Sequence, residues 1–326
     1  MVWRRRWASM TRHSTACRTK SAQSSRAARW SRCSKRYPAR PGQQPLRGLA
    51  TIGPAQHERR FALAISLQNL VRKDKPKPPI MCIYGTGGIG KTTLAAEFPD
   101  AIFIQTEDGA NGLGVTSFSD GALGSWSDVE TALAELATED HPFRTVVVDS
   151  VTRLEGLVWA EACARHGWKS IEDPGYGKGY VEADAIWREF LNACMWLRDN
   201  KAMTVILIGH EAVQSFSDPV TESYDRYTMR LHKRAEALVR ESCDVMGFLN
   251  QVTTIAKEKG GFNKETAKAR GSGQRALNLS PRPAFVAKQR PGYGFPDKIT
   301  INPGEGYAAL APHLPEASGA PAASAA

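Results

Sequence analysis

From residue 57 to about residue 310 the chain alternates short apolar runs with longer stretches whose apolar residues recur every three or four positions. Ile80–Tyr84, Ala101–Gln105, Arg144–Asp149 and Ala202–Ile208 are the runs, and their near-continuous Val, Ile and Leu predict strands covered on both faces. The helical period predicts helices over His57–Arg72 (Phe61, Ile65, Leu67 and Leu70 inward), Lys91–Phe98, Arg153–His166, Val181–Arg198 and Met229–Glu241. A further helix opens at an S-x-x-E capping box, Ser127 with Glu130, and runs to about Thr138. The proline-rich stretch 73–79 breaks the first helix, residues 175–180 join the Arg153 and Val181 helices, and a polar loop follows the fourth strand. Strands alternating with helices at this spacing predict an α/β protein with a mostly parallel central sheet flanked by helices, finished by shorter C-terminal antiparallel strands.

Charge and composition divide the chain. Residues 1–57 carry 13 Lys and Arg and no acid; the other 30 bases meet 33 acids, a balance of −3. The net charge of +10 therefore belongs to the first segment, and nucleic-acid contact elsewhere must come from a local patch. Rich in Arg, Ser and Ala, residues 1–57 are expected to be disordered. They read as a basic nucleic-acid arm, an organelle transit peptide, or a translation start set too far upstream, the last being favoured. Residues 58–312 form the predicted folded domain, and 313–326 an Ala/Pro/Ser/Gly tail. The six cysteines show no zinc spacing, which points to a reduced, cytoplasmic protein, and the longest strongly apolar run, Met203–Gly209, is far too short for a membrane helix.

Chemistry concentrates at one place. Gly85, Thr86, Gly87, Gly88, Ile89, Gly90, Lys91 and Thr92 match G-x-x-x-x-G-K-[ST] between a predicted strand and a predicted helix, and Thr93 extends the nucleotide-contacting run. The glycines let successive N–H groups curl around phosphates. Lys91 is the expected point charge for the β- and γ-phosphates of ATP, and Thr92 offers a hydroxyl to Mg²⁺. The run Val146–Asp149 ends in a single acid, 57 residues after Thr92, and Asp149 is the expected second metal-holding group, on a neighbouring strand. Hydrolysis also needs a carboxylate near the γ-phosphate, where parallel strand ends converge; Glu107, after the second strand, is the candidate general base, with a turn-capping role as its alternative.

Two departures separate the chain from other phosphate-loop families. Partition-type ATPases place a lysine where Thr86 stands, and the switch ATPases of immune receptors carry a second acid where Ser150 follows Asp149. The segment from Val146 to Leu154 and the stretch Phe103–Gly109 instead resemble the RecA recombinase family, and Pro283–Gly292 looks like the strand by which such proteins send two cations into the neighbouring protomer's ATP site. That resemblance implies a RecA-like fold, a water-orienting role for Glu107, and Lys288 and Arg290 acting in trans in a homo-oligomer with ATP at the protomer interface. Read from the residues alone, the two cations are equally well solvated charges on an edge strand. Phage-encoded RecA-like ATPases of the single-strand annealing group are similar in residues 177–180, 207–211 and 287–290. His210 and Glu211 replace the Asn-Gln pair that senses the γ-phosphate in RecA proteins, leaving His210 as a sensor candidate beside a structural alternative.

Contact with single-stranded DNA rests mainly on the resemblance. Residues 175–180 offer glycines, a cation and two tyrosines for stacking, or a packed helix–helix turn. The segment 211–230 is too acidic for phosphate binding, whereas 257–275 has six bases against two acids in a hairpin-like context, suited to a DNA backbone or, as is commoner, a solvated charge run. The sequence thus predicts an Mg²⁺-dependent RecA-like ATPase acting in phage DNA recombination or single-strand annealing. The alternative is a nucleotide-gated assembly or switch ATPase that binds protein partners, with a P-loop kinase as a third, weaker reading.

Overall fold

The computed structural model describes residues 70, 72, 75–220, 222–260 and 264–315, with the backbone alone over 253–272. The expected basic segment, most of the 57–72 helix and the tail beyond Pro315 lie outside these residues. Leu70 and Arg72 themselves are not helical, and Leu70 is exposed rather than inward.

The elements in order are β1 (Ile80–Gly85), α1 (Lys91–Ala96), β2 (Ala101–Gln105), β3 (Thr116–Ser117), α2 (Trp126–Thr138), β4 (Thr145–Asp149), α3 (Val151–His166) and α4 (Lys178–Lys201). They continue with β5 (Thr204–Phe216), β6 (Tyr224–Met229), α5 (Lys233–Ser242), β7 (Val245–Gly260), β8 (Lys264–Asn278), β9 (Lys288–Gln289), β10 (Lys298–Ile301) and α6 (Gly306–Leu310). The sheet runs β10-β8-β7-β1-β5-β4-β2-β3, parallel from β7 to β3 and antiparallel at β7–β8 and β8–β10. This is the α/β class the hydrophobic pattern implied. Burial on both faces explains the unbroken apolar runs: every residue of β1 and β4 is buried. Met81, Ile83, Val147, Ile206 and Ile208 share a core with Leu94 and Phe98 beside α1 and with Ile299 and Ile301 of β10. On the long helix α4, Ile186, Trp187, Phe190, Leu191, Cys194 and Leu197 form the buried stripe.

Local expectations shift in three places. The capping box is Ser125 with Asp128, not Ser127 with Glu130; Ser125 Oγ accepts the Asp128 N–H at 3.2 Å and Asp128 Oδ2 accepts the Ser125 N–H at 3.0 Å. Starting the helix two residues earlier puts Trp126, Val129, Leu133 and Leu136 inward. Helix α4 already includes Lys178, Gly179 and Tyr180, so the interhelical connection ends at Gly177. The polar loop after the fourth strand is a hairpin instead: β5 runs on to Phe216 and pairs antiparallel with β6 from Glu211↔Met229 to Phe216↔Tyr224. Backbone pairing holds that ribbon without an apolar run to announce it.

Candidate nucleotide site

The site forms where β1, β2 and β4 end along the side of β5. Gly85 of β1 is in register with His210 of β5, Asp149 of β4 with Ile208 of β5 and Gln105 of β2, and Glu107 follows β2 by two residues. Strand β5 therefore lies between the phosphate-loop strand and the Asp149 strand; the two are next but one, where the sequence reading made them neighbours. The wider spacing leaves room for His210 between them.

Gly85 lies hard against β7, where a Cβ would run into the Leu249 carbonyl oxygen. Gly90, at φ 92°, takes the left-handed turn that feeds the chain into α1. Lys91 is 5% exposed, and its Nζ folds back onto the loop's own carbonyls, Gly85 O at 2.7 Å and Thr86 O at 3.0 Å. Burial pulls the ammonium's pKa below its ordinary value, opposed by the nearby carboxylates of Glu211, Asp149 and Glu107.

Thr92 Oγ1 donates to Asp149 Oδ2 at 2.7 Å. Asp149 is 1% exposed; desolvation raises its pKa, partly offset by the Thr92 hydroxyl. Its other oxygen, Oδ1, is buried with no hydrogen-bond partner among the described residues. A buried orphan carboxylate oxygen beside a hydroxyl is hard-donor chemistry that fits Mg²⁺, which takes one or two protein ligands and keeps its other positions for water and phosphate.

Glu107 is held over this group. Its backbone N–H and that of Thr106 donate to Asp149 O, at 3.2 and 2.7 Å, and the Thr106 hydroxyl donates to Ser150 O at 2.7 Å. His210 Nε2 sits 3.0 and 3.2 Å from the two Glu107 oxygens. That hydrogen bond lowers the Glu107 pKa, opposed by partial burial. The His210 backbone N–H donates to Thr152 Oγ1 at the start of α3, which fixes the other end of the pair. The structure thus gathers Lys91, Thr92, Asp149, Glu107 and His210 around the phosphate loop.

Lys288 and Arg290 are not among them. Gln289 is in register with Val245, and Val245 with Met81, four residues before Gly85; the pair sits toward the N-terminal end of β1, set back about 13 Å along the strand from Gly85 and two strands to the side. Lys288 Nζ donates to the α5-terminal carbonyls of Arg240 at 2.7 Å and Cys243 at 2.8 Å, and Arg290 Nε meets Asp244 Oδ1 at 3.0 Å. Desolvation lowers the Lys288 pKa, and Arg290 adds to that. Of the expected nucleic-acid segments, Tyr176 is fully exposed between two glycines, whereas Tyr180 stacks on His232 at 4.0 Å. In the 257–275 patch, the side chains of Lys257, Lys259, Lys264, Lys268 and Arg270 lie outside the description. One member, Arg275, turns out to touch the phosphate loop: Nη1 donates to Ile89 O at 3.2 Å. No local signal could place a residue 186 positions away there; only the β1–β7–β8 pairing does.

No helix among the described residues is long and apolar enough to cross a membrane. Similarity to known proteins was found at three levels. A solved RadB recombinase is 16% identical, covering 69% of this chain and 86% of that one at a TM-score of 0.39. The SPbeta prophage-derived uncharacterized protein YorG of Bacillus subtilis strain 168 is 27% identical over 143 residues; the chain spans about two fifths of that relative's length. The AAA domain profile matches residues 77–291, which begin just before β1 and include the phosphate loop, Glu107, Asp149 and His210. With about two thirds of its length in that match and a phosphate loop closed against an acid-ended strand, the protein belongs to the AAA domain family of P-loop NTPases.

Proposed function

We propose that the protein is an Mg²⁺-dependent, RecA-like ATPase acting in phage DNA recombination or single-strand annealing. The observation that carries the nucleotide chemistry is the Thr92–Asp149 contact at 2.7 Å with Asp149 Oδ1 left orphaned in a buried position. Thr92 and Asp149 would hold Mg²⁺, which supplies charge neutralisation to the β- and γ-phosphates. Lys91 exchanges two loop carbonyls for phosphate oxygens, so its charge is stored in place until nucleotide enters. Glu107 accepts the proton of the attacking water, and His210 orients the carboxylate. The prophage origin of one relative supports the phage setting.

Steady-state ATP hydrolysis with Mg²⁺ at low salt, with and without single-stranded DNA, tests this. Turnover should fall at least about 100-fold for Lys91→Ala and for Glu107→Gln, and should rise on adding the DNA. Loss of ATP turnover in the wild-type protein would overturn the ATPase reading; turnover indifferent to DNA would favour the assembly or switch reading. One observation favours that second reading: the β5–β6 ribbon carries exposed Val213 in register with the exposed Tyr227, a surface suited to a protein partner. The trans role of Lys288 and Arg290 predicts turnover rising more steeply than linearly with protein concentration, and a loss of that steepness in Arg290→Ala.

A further inference from the structure

Arg275 reaches the phosphate loop from β8, two strands away from β1. In register, Gly85 faces Leu249 on β7, and Gln251, two residues further, faces Arg275. Gln251 thus lies about 7 Å past the end of β1 along the strand, which lifts Arg275 to the level of the loop. The strand beneath is anchored: Ala276 and Leu277 are fully buried, and Leu277 belongs to the core shared with Leu249 and Ile301. From this base Nη1 donates to the Ile89 carbonyl at 3.2 Å. The guanidinium stands so close to the Gly90 Cα that any side chain there would collide with Nη1, and the Thr93 hydroxyl is the next neighbour of that position.

From this placement we infer that Arg275 is a second phosphate-binding cation of the site, acting from within the same protomer alongside Lys91. This rests on the proposed nucleotide reading and adds a residue to it. Among the described residues the contact with Ile89 uses one of five guanidinium N–H groups and a neutral acceptor, so the charge and the remaining donors stay available beside Gly90 and Thr93. A planar fork suits the non-bridging oxygens of a di- or triphosphate, where Lys91 acts as a point charge. The bond to Ile89 gives the same residue a second effect, holding the loop's curl before nucleotide arrives.

Charge and loop-holding separate by substitution. Arg275→Gln keeps a donor for the Ile89 carbonyl and removes the charge; Arg275→Ala removes both. Dissociation constants for ADP and for inorganic tripolyphosphate, measured by titration calorimetry at low and high salt with thermal melts as the folding control, should weaken about tenfold or more in both variants, with a smaller gap at high salt. Wild-type affinity in Arg275→Gln with loss only in Arg275→Ala would overturn the phosphate-binding role and leave loop-holding. Unchanged affinity in both variants would overturn the inference altogether. A wild-type protein that binds neither probe would overturn the nucleotide reading itself, a result distinct from either.

Discussion

Glu155 gives the sharpest pH test of how this fold is held together beside its site. It is 7% exposed on α3, and both its oxygens accept the backbone N–H of His232, at 2.9 and 3.1 Å, tying α3 to the start of α5. Burial pushes its carboxyl from the ordinary 4.5 up to about 7, against the smaller downward pull of the His232 N–H. Between those two values the native carboxyl keeps its proton while the unfolded one ionises, so the native state binds more protons and stability falls as pH rises through the window. Above about pH 7 the loss is complete. At 1.36 kcal/mol for each unit of difference, it amounts to about 3 kcal/mol. Glu155→Gln keeps an acceptor for the His232 N–H and removes the ionisation. Urea unfolding at a series of pH values from 4.5 to 8 should show the variant gaining on the wild type across the window, by about 3 kcal/mol in all. The His232 imidazole, whose own pKa is lowered by burial and by Lys233 and Arg234, is common to both proteins and cancels to first order in the difference. A difference that stays constant with pH would refute the reasoning.

Other residues separate stability from binding. Asp149→Asn removes a buried carboxylate that desolvation disfavours, so the nucleotide-free melting temperature should hold or rise while stabilisation by Mg²⁺ and ATP disappears; thermal shift with and without both ligands reads the two effects. Asp244, 4% exposed, accepts the Ile80 N–H at 2.9 Å and Arg198 Nη1 at 3.2 Å besides meeting Arg290. Asp244→Ala should cost about 3–5 kcal/mol in denaturant unfolding, whereas Arg290→Ala, at a side chain 54% exposed, should stay within about 1 kcal/mol. Gly85→Ala, which drives a Cβ into the Leu249 carbonyl, should destabilise by about 3 kcal/mol in the same assay.

What the sequence disclosed follows the range of the interactions concerned. Strands buried on both faces announce themselves as apolar runs, so β1, β2, β4 and the first half of β5 stood within a residue or two of their expected places. The phosphate loop is a contiguous motif and Asp149 closes an apolar run, so both were visible as candidates, and the fold brings them within 2.7 Å through Thr92. Whatever depends on pairing between distant strands was illegible. The β5–β6 ribbon is polar and held by backbone bonds, and Arg275 reaches Ile89 only because β7 and β8 are laid beside β1. His210 and Glu107 were each visible as residues at strand ends, but their mutual bond depends on β5 and β2 flanking β4, an order no local pattern encodes.

That strand order also constrains any assembly in which Lys288 and Arg290 serve another protomer. The phosphate loop lies at the C-terminal end of β1, and the two cations lie beside its N-terminal half, on β9 and just after it. In a two-fold dimer the donor surface of each protomer would have to meet the acceptor surface of the other reciprocally, and the assembly would close at two. Joined head to tail instead, the same contact repeats into a ring or an open filament. Arg290 can join such a contact without leaving Asp244, because its contact through Nε leaves the outer nitrogens of a half-exposed guanidinium to face outward. Lys288 cannot, since its ammonium is spread over the carbonyls at the end of α5 and would have to leave the Arg240 and Cys243 oxygens to reach a phosphate. Of the two cations, Arg290 is therefore the one whose loss should flatten the concentration dependence of turnover, while Lys288→Ala should register first as a less stable α5.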